Sequence, residues 1–424
     1  LKVTVDARGR IHFEFFDEKG ENLYRIVKQP ADSLSVLEQD GANLLRDHLL
    51  RRIHSQYDAR RRAQEEAFTS RESLEKRQHL LRERLRTIVG DLPEKSPLLA
   101  RTTGTLKGDG FRVEKVVFQS RPHHYVTANL YVPDSDGPFP GVLIACGHSS
   151  QGKAYPYYQK AAMLMARNQM MALIYDPIGQ GERLSYLKGS GNPGLQHKLD
   201  NVNAVVVGRT TVGYQAWDGV RAADYLMSRP ELDRTKPLGM TGNSGGGAQT
   251  MYLMALDDRI GPAAPSCHIT TLERNFELGG AGDGCQSAPL TGAMGIDHPD
   301  FFVMRAPRPT IILSAEQDYK DIRFTRKTFV EARQAYDLLR RSECMEMFAY
   351  DDKHSFSQPR REAAAQWMRR WLFDNSDPIA EPELTPFDGK DLQVTESGQV
   401  LREFPDALSV ADLNLRRARE LNSA

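Results

Sequence analysis

The stretch Lys236–Ile260, KPLGMTGNSGGGAQTMYLMALDDRI, decides how this chain is read. A short apolar run climbs into Gly242-Asn243-Ser244-Gly245-Gly246, and a helix-like run follows at once. The pattern is Gly-x-Ser-x-Gly at a strand-to-helix turn. Such a turn forces the serine backbone into strained dihedrals, and glycines flank it because side chains there would clash. The strain lifts the hydroxyl of Ser244 clear of the strand. The helix that follows aims free N–H groups and a partial positive charge at the same place. The spacing therefore predicts a nucleophilic serine, with the Gly245 N–H as one oxyanion donor.

A serine nucleophile needs a base, and the base needs an orienting acid. On this kind of turn the chain order is Ser, then Asp or Glu, then His. Downstream, RPTIILSAEQDYKD (308–321) is an apolar strand that ends in acids. Asp318 lies just beyond the strand end and is the expected acid, with Glu316 and Asp321 as competitors. His354 follows the last strand and precedes the last helix, and is the expected base, since imidazole exchanges a proton near neutrality. The second oxyanion donor is expected after the third strand of the alternating region. There GVLIACGHSSQGK (141–153) supplies the backbone N–H of His148.

Three further residues are substrate-contact candidates. Arg183, in LIYDPIGQGERLSY (173–186), can fork onto a carboxylate or tie its own turn to Asp176 or Glu182. His268 follows the sixth strand, and Trp217 offers either a core ring or a sugar platform. Of the other histidines, His123 and His124 are expected exposed in a hairpin turn, and His298 is expected to pack or cap. No CxxC pair and no H-x-x-x-H spacing with a carboxylate occurs, so no metal and no other cofactor is expected. Cys146 and Cys344 are expected as buried thiols, and Cys267 and Cys285 as a possible pair.

Outward from this centre, strands and helices alternate. Candidate strands are 112–119, 125–132, 141–146, 171–175, 237–241, 261–266, 310–314 and 345–350. Candidate helices are 154–168, 212–228, 247–257 and 324–341, with a last one closing at Phe373. The later strands are short continuous apolar runs, as in parallel strands buried on both faces. The expected fold is α/β, a mostly parallel, doubly wound sheet. Residues 1–30 alternate like a β-hairpin or meander, and 31–95 have helical spacing. In that second stretch Ser70 opens a helix and Gly90 closes it. The sheet domain is placed at 96–376, and 377–424, which begins proline-rich, is placed as a surface tail.

The chain has 424 residues, 40% of them hydrophobic and 26% charged, with a formal net charge of zero. Bulk electrostatics thus suggests neither a nucleic-acid nor a membrane partner, and no apolar run is long enough to span a bilayer. The chain starts at Leu1, so a removed leader or upstream piece is expected.

Taken together, VTANLYVP, CGHSSQGK, YDPIGQGER, WDGVRAADYLMSRPELD, GMTGNSGGG, APRPTIILSAEQD and KHSFSQPRREAAAQWMRRWL resemble the acetyl-xylan-esterase-like carbohydrate esterases of the α/β-hydrolase superfamily. These lie near the cephalosporin-C deacetylase and dienelactone-hydrolase groups. The resemblance covers roughly residues 90–375, and the helices before it look like the N-terminal extension of large bacterial esterases. It implies Ser244 as nucleophile, Asp318 as acid and His354 as base. It also implies a carbohydrate ester substrate, with deacetylation first and methyl esters of uronic acids (pectin or glucuronoyl type) second. A polymeric substrate of that kind implies a periplasmic or secreted protein. Gly245 departs from the Gly-x-Ser-Gln-Gly elbow of the cephalosporin-type enzymes, and from the arginine that usually follows the nucleophile in glucuronoyl esterases. A prolyl-oligopeptidase-like peptidase shares the order of the three residues. It normally carries a β-propeller, for which residues 1–100 are too short and too helical. A non-catalytic binding module on the same scaffold would not need all three residues in order at strand ends.

Overall fold

The computed structural model describes residues 2–7, 10–16, 22–28, 43–90, 92–188, 191–278 and 283–423. The chain forms two compact units, Leu1–Ser55 and Gln56–Ala424. The first holds an antiparallel three-stranded meander of β1 (Lys2–Val5), β2 (Ile11–Phe16) and β3 (Asn22–Lys28). Helix α1 (Leu44–Ala67) follows, and then α2 (Arg71–Val89). The Ser70 side chain accepts from Ser73 N and Gly90 closes α2 at φ +87°, so both ends lie where the sequence placed them.

The second unit is built on a nine-stranded sheet. Its strands are β4 (Arg101–Lys107), β5 (Phe111–Arg121), β6 (His124–Pro133), β7 (Gly141–Ala145), β8 (Met171–Tyr175), β9 (Leu238–Asn243), β10 (Ile260–Ser266), β11 (Thr310–Ala315) and β12 (Met345–Tyr350). Their order is β12-β11-β10-β9-β7-β8-β6-β5-β4. The six from β12 to β8 run parallel, and β6, β5 and β4 add an antiparallel margin. Eight of these strands answer to the sequence reading. The ninth, β4, was missed because RTTGTLK is a polar, exposed edge with no apolar run to mark it.

The helices are α3 (Pro156–Arg167), α4 (Pro193–Val206), α5 (Thr211–Ser228), α6 (Gly245–Leu256), α7 (Leu272–Glu277), α8 (His298–Arg305), α9 (Ile322–Leu338), α10 (Gln358–Phe373), α11 (Val400–Glu403) and α12 (Val410–Ser423). They cover both faces of the sheet, and period-2 side-chain alternation feeds the two layers. Leu143 and Ala145 of β7 point into the core shared with α5, α6 and α8. Val142 and Ile144 point into the core shared with α3 and α10. Helix α2 belongs to the first core through Leu74, Leu81, Leu85 and Ile88. Its Gln78 donates to Val303 O and Ala306 O at 2.8 and 2.9 Å, so it also satisfies the end of α8.

The segment after α10 is tied down rather than loose. Val394 and Val400 pack on Val117 and Tyr125. Val410 packs on Ile178, Ala204 and Tyr214.

Chain direction makes one place on this sheet special. From β7 the chain moves to β8 on one side, and then crosses to β9 on the other. In open α/β sheets the crevice outside the carboxyl ends of the strands at such a reversal is where ligands bind. Ala145 of β7 pairs with Gly242 of β9, so the loops after these two strands meet there.

Candidate active site

Ser244 sits at that crevice, between the end of β9 and the start of α6, with φ +58° and ψ −119°. Its N–H donates to Ser266 O at 2.9 Å, and its carbonyl accepts from Ala248 N at 3.0 Å. The left-handed backbone is thus pinned on both sides. The flanking glycines are sterically required. A Cβ on Gly246 would lie 2.1 Å from Ala145 O, and one on Gly242 would lie 2.5 Å from the same oxygen. Gly245 differs: a Cβ there meets nothing closer than 3.5 Å. That hypothetical Cβ is also 3.8 Å from His148 N, so the structure brings together the two expected oxyanion donors.

Asp318 lies three residues beyond β11, and His354 lies in the loop between β12 and α10. Asp318 accepts from His354 Nδ1 with both carboxylate oxygens at 2.9 Å. The carboxylate is 3% exposed and the imidazole 24% exposed, so the ring is anchored inside and reachable outside. Lys320 N donates to Asp318 Oδ1 at 3.0 Å and fixes the other side of the acid. Of the competitors, Glu316 pairs with Arg326, and Asp321 caps α9. Two neighbours escaped the sequence reading. Tyr319 is 63% exposed, and its ring lies 4.5 Å from the His354 ring. Cys267, at φ +49°, lies against Asp318. Adjacency to Asp318 in sequence is the one signal that pointed to Tyr319.

The loop carrying His148 is braced from beneath. The Lys153 ammonium bonds Asp176 Oδ2 at 2.8 Å and also reaches Glu182, with all three groups buried. Asp176 further accepts from Lys153 N and Thr127 Oγ1, both at 2.7 Å. Burial pulls the Lys153 ammonium down, but the two carboxylates outweigh it and raise it. Burial pushes Glu182 up, and Lys153 outweighs that and lowers it. The glycines of CGHSSQGK and YDPIGQGER belong to this contact. A Cβ on Gly152 or Gly181 would lie 2.0 or 2.2 Å from Asp176 Oδ1. Gln180 donates to Gly147 O at 2.8 Å, which carries the brace up to the residue before His148.

Two of the three substrate-contact candidates are corrected. Arg183 is buried. It bonds Tyr125 O and Asp176 O at 2.8 Å, pairs with Asp218 at 2.8 Å and meets His124 Nε2 at 3.0 Å. Every arm of its fork is occupied, so it holds the turn and has none left for a substrate carboxylate. Trp217 is buried in the core, with its indole N–H on Ser120 O at 2.7 Å. His268 is 2% exposed, its ring lies tilted 5.1 Å from that of His298, and neither of its ring nitrogens has a hydrogen-bond partner among the described residues. It is brought near His354 but presents no surface to solvent.

His124 is likewise corrected from exposed to buried, because the C-terminal segment covers it and Leu408 O bonds its Nδ1 at 2.7 Å. His298 packs at the start of α8 as expected. Cys267 and Cys285 do not pair: all four cysteines are free and buried.

One cluster has no counterpart in the sequence reading. The His148 ring lies with His197 of α4, Asp283 and Cys285. Burial pulls His148 down. Burial, then the neighbouring His148, pulls His197 down to about 4. Burial also pushes the Cys285 thiol up.

A parallel sheet whose β9–α6 turn carries a strained serine, with acid and histidine after the next strands, is an α/β-hydrolase fold. No family model matches the sequence, and no curated protein matches it. Solved structures do. Methylesterase BT1017 superposes with TM-score 0.67 at 22% identity, over 97% of this chain and 86% of its own. A glucuronoyl esterase from Solibacter usitatus gives TM-score 0.55 at 16% identity, over 71% and 94%. A Bacteroides fragilis protein assigned as an acetyl xylan esterase gives 0.54 at 19%, over 66% and 76%. The chain thus shares its fold with proteins named as carbohydrate esterases. No helix among the described residues is long and apolar enough to cross a membrane.

Proposed function

We propose that the protein is a serine hydrolase of carbohydrate carboxylic esters. The observation that carries this is the bidentate Asp318–His354 contact beside a strained Ser244 at the switch point of the sheet. In this reading Ser244 Oγ attacks the ester carbonyl while His354 takes its proton through Nε2, the nitrogen opposite the one held by Asp318. Asp318 fixes the tautomer and stabilises the imidazolium. The N–H groups of Gly245 and His148 receive the oxyanion. The alcohol leaves with the proton from His354, and water then releases the acid from the acyl-enzyme. A fixed oxyanion donor is worth roughly 10²–10³ in rate, which gives the brace beneath His148 a chemical purpose.

Two ester types fit. The sequence motifs favour acetyl groups. The 97% extent of the match to a methylesterase, which takes in the N-terminal helices and the C-terminal segment, favours a uronic-acid methyl ester. The commitment of Arg183 to its own turn means that any uronate would be read by other groups. The absence of a propeller in the described N-terminal part weighs against a peptidase of the prolyl-oligopeptidase type.

Proton NMR of the enzyme with acetylated xylan and a methyl-esterified uronate, beside a Ser244→Ala control, tests the reading. Acetate marks a deacetylase, and methanol marks a methylesterase. Release of neither, or equal release by the control, overturns the proposal.

A further inference from the structure

Four side-chain atoms from three separate segments converge beside Ser244: His148 Nε2, His197 Nδ1, Cys285 Sγ and Asp283 Oδ2. The two nitrogens are 2.9 Å apart, and Cys285 Sγ lies 3.1 Å from His197 Nδ1 and 3.3 Å from His148 Nε2. Asp283 Oδ2 is 3.3 Å from His148 Nε2. From these contacts we infer a binding site for a single borderline-soft divalent cation, Zn²⁺, held by His148, His197, Cys285 and Asp283.

Three considerations carry the inference. The first is the proton count. His197 Nε2 lies 2.7 Å from Ile178 O, an acceptor, so Nε2 carries the proton and Nδ1 is a bare lone pair. An ionised carboxylate carries no proton. At most two hydrogens, on His148 Nε2 and Cys285 Sγ, then serve four atoms crowded around one point. A cation at the centre satisfies all four at once, with the thiol proton released to solvent as the thiolate binds and the His148 ring carrying its proton on Nδ1 instead of Nε2.

The second is size. Tetrahedral Zn²⁺ with bonds of about 2.0–2.3 Å sets ligand atoms roughly 3.3–3.7 Å apart. The four separations of 2.9 to 3.3 Å need open by only a few tenths of an ångström, and the other two, from Asp283 to His197 and to Cys285, lie within 4.8 Å. Two imidazoles, a thiolate and a carboxylate are also the ligand types this ion takes.

The third is the outer shell. A metal-bound imidazole is usually oriented by a carbonyl or carboxylate on its other nitrogen. Ile178 O does this for His197. The ring is approached closely by backbone at Gly179, where a Cβ would fall 3.2 Å from His197 Cδ2.

The ion would clamp the loop after β7 to α4 and to the Asp283–Cys285 segment. With four protein ligands the site is closed, so its role is positional. If the esterase reading holds, the ion sets the backbone N–H of His148, and no step of the chemistry passes through it.

The test is cobalt uptake by the full-length, reduced, chelator-stripped chain. Co²⁺ should bind at one equivalent, with intense visible bands of a four-coordinate ion and a near-ultraviolet thiolate charge-transfer band. Cys285→Ser should lose the charge-transfer band, while Cys344→Ser, which removes a distant buried thiol, keeps it. Asp283→Asn alters a ligand that is 18% exposed and leaves the core intact. It should weaken Co²⁺ by at least the roughly 10–100-fold seen when only outer-shell partners are changed.

No uptake by the reduced wild-type chain, or a charge-transfer band that survives Cys285→Ser, overturns the site. Unchanged affinity in Asp283→Asn removes the carboxylate from it. Ester hydrolysis is followed separately. A chain that binds cobalt but turns over no ester refutes the esterase reading and leaves the metal site standing.

Discussion

On one flank of Ser244 a single imidazole, His354, hangs from one carboxylate and faces solvent over about a quarter of its surface. On the other flank the loop carrying His148 rests on Lys153, Asp176 and Glu182, all of them buried, and on two glycines that admit no side chain. On the proposed mechanism the first flank moves a proton, and its ring has one firm anchor for that task. On the same proposal the second holds backbone N–H groups still beside a transient charge, which suits a loop braced by buried ion pairs. The two flanks should therefore fail in different ways when altered. Changes to the first should remove turnover and leave the fold standing. Changes to the second should cost stability.

The largest effect tests the shared centre. Ser244→Ala should lower ester turnover by on the order of 10⁶-fold with no loss of melting temperature. Residual turnover within tenfold of wild type would dismiss Ser244 as the nucleophile. Asp318→Asn should come next, at about 10⁴-fold in kcat with little change in KM, because the imidazole would be held in the wrong tautomer. A matching fall in thermal stability would mean that this flank is structural after all.

Lys153→Met should leave two carboxylates buried without their cation. Breaking a buried ion pair from one side costs about 3–5 kcal/mol, read as a lower urea midpoint. A shift under about 1 kcal/mol would erase the contrast between the flanks.

Acid offers a milder probe. Burial, with Arg183 adding to it against Asp218, holds His124 down at about 4. Burial, then Lys320, holds His298 down at about 3. Burial, then His298, holds His268 well below its ordinary value. Each folded value lies below that of the unfolded chain, near 6.5. The stability these groups contribute is therefore complete above pH 6.5 and is lost as pH falls. Asp200 and Asp297, raised by burial to about 6, act in the opposite sense between pH 6 and 4. His148 and His197, also pulled down, act with these three histidines, so stability falls with pH by roughly 1.4 kcal/mol per pH unit for each histidine proton that the two carboxylates do not offset. Melting temperatures measured from pH 7 to 4.5 should fall accordingly, and the slope should flatten in His124→Gln.

Smallest of all, Gly245→Ala should change stability by less than about 0.5 kcal/mol and turnover only a few-fold. Its neighbour Gly246, by contrast, has no room for a methyl group.

How much of this was legible in the sequence follows from how local each signal is. The elbow at 242–246 was legible because steric necessity writes glycines at 242 and 246, two positions either side of the serine. Asp318 and His354 were legible because each falls just past an apolar strand, and strand ends are marked by composition. The buried parallel strands were legible as short apolar runs, whereas β4 was not, because it is a polar edge. Arg183 and Trp217 stayed open between a substrate role and a structural one for one shared reason. An arginine or an indole on an active-site loop or helix has the same identity whether it points out or in. Burial against Asp218 and Ser120 decided the matter.

By itself, then, the sequence determined the doubly wound sheet, the strained serine and the order of its partners, because these depend on neighbours a few residues apart. Only the tertiary structure decided that Lys153 would sit between Asp176 and Glu182, and that the C-terminal segment would bury His124. Only it brought His148, His197, Asp283 and Cys285 to one point. Those contacts join residues tens to hundreds of positions apart, and no local spacing records them. They exist because the chain reverses direction between β7 and β9 and returns its loops to the same crevice.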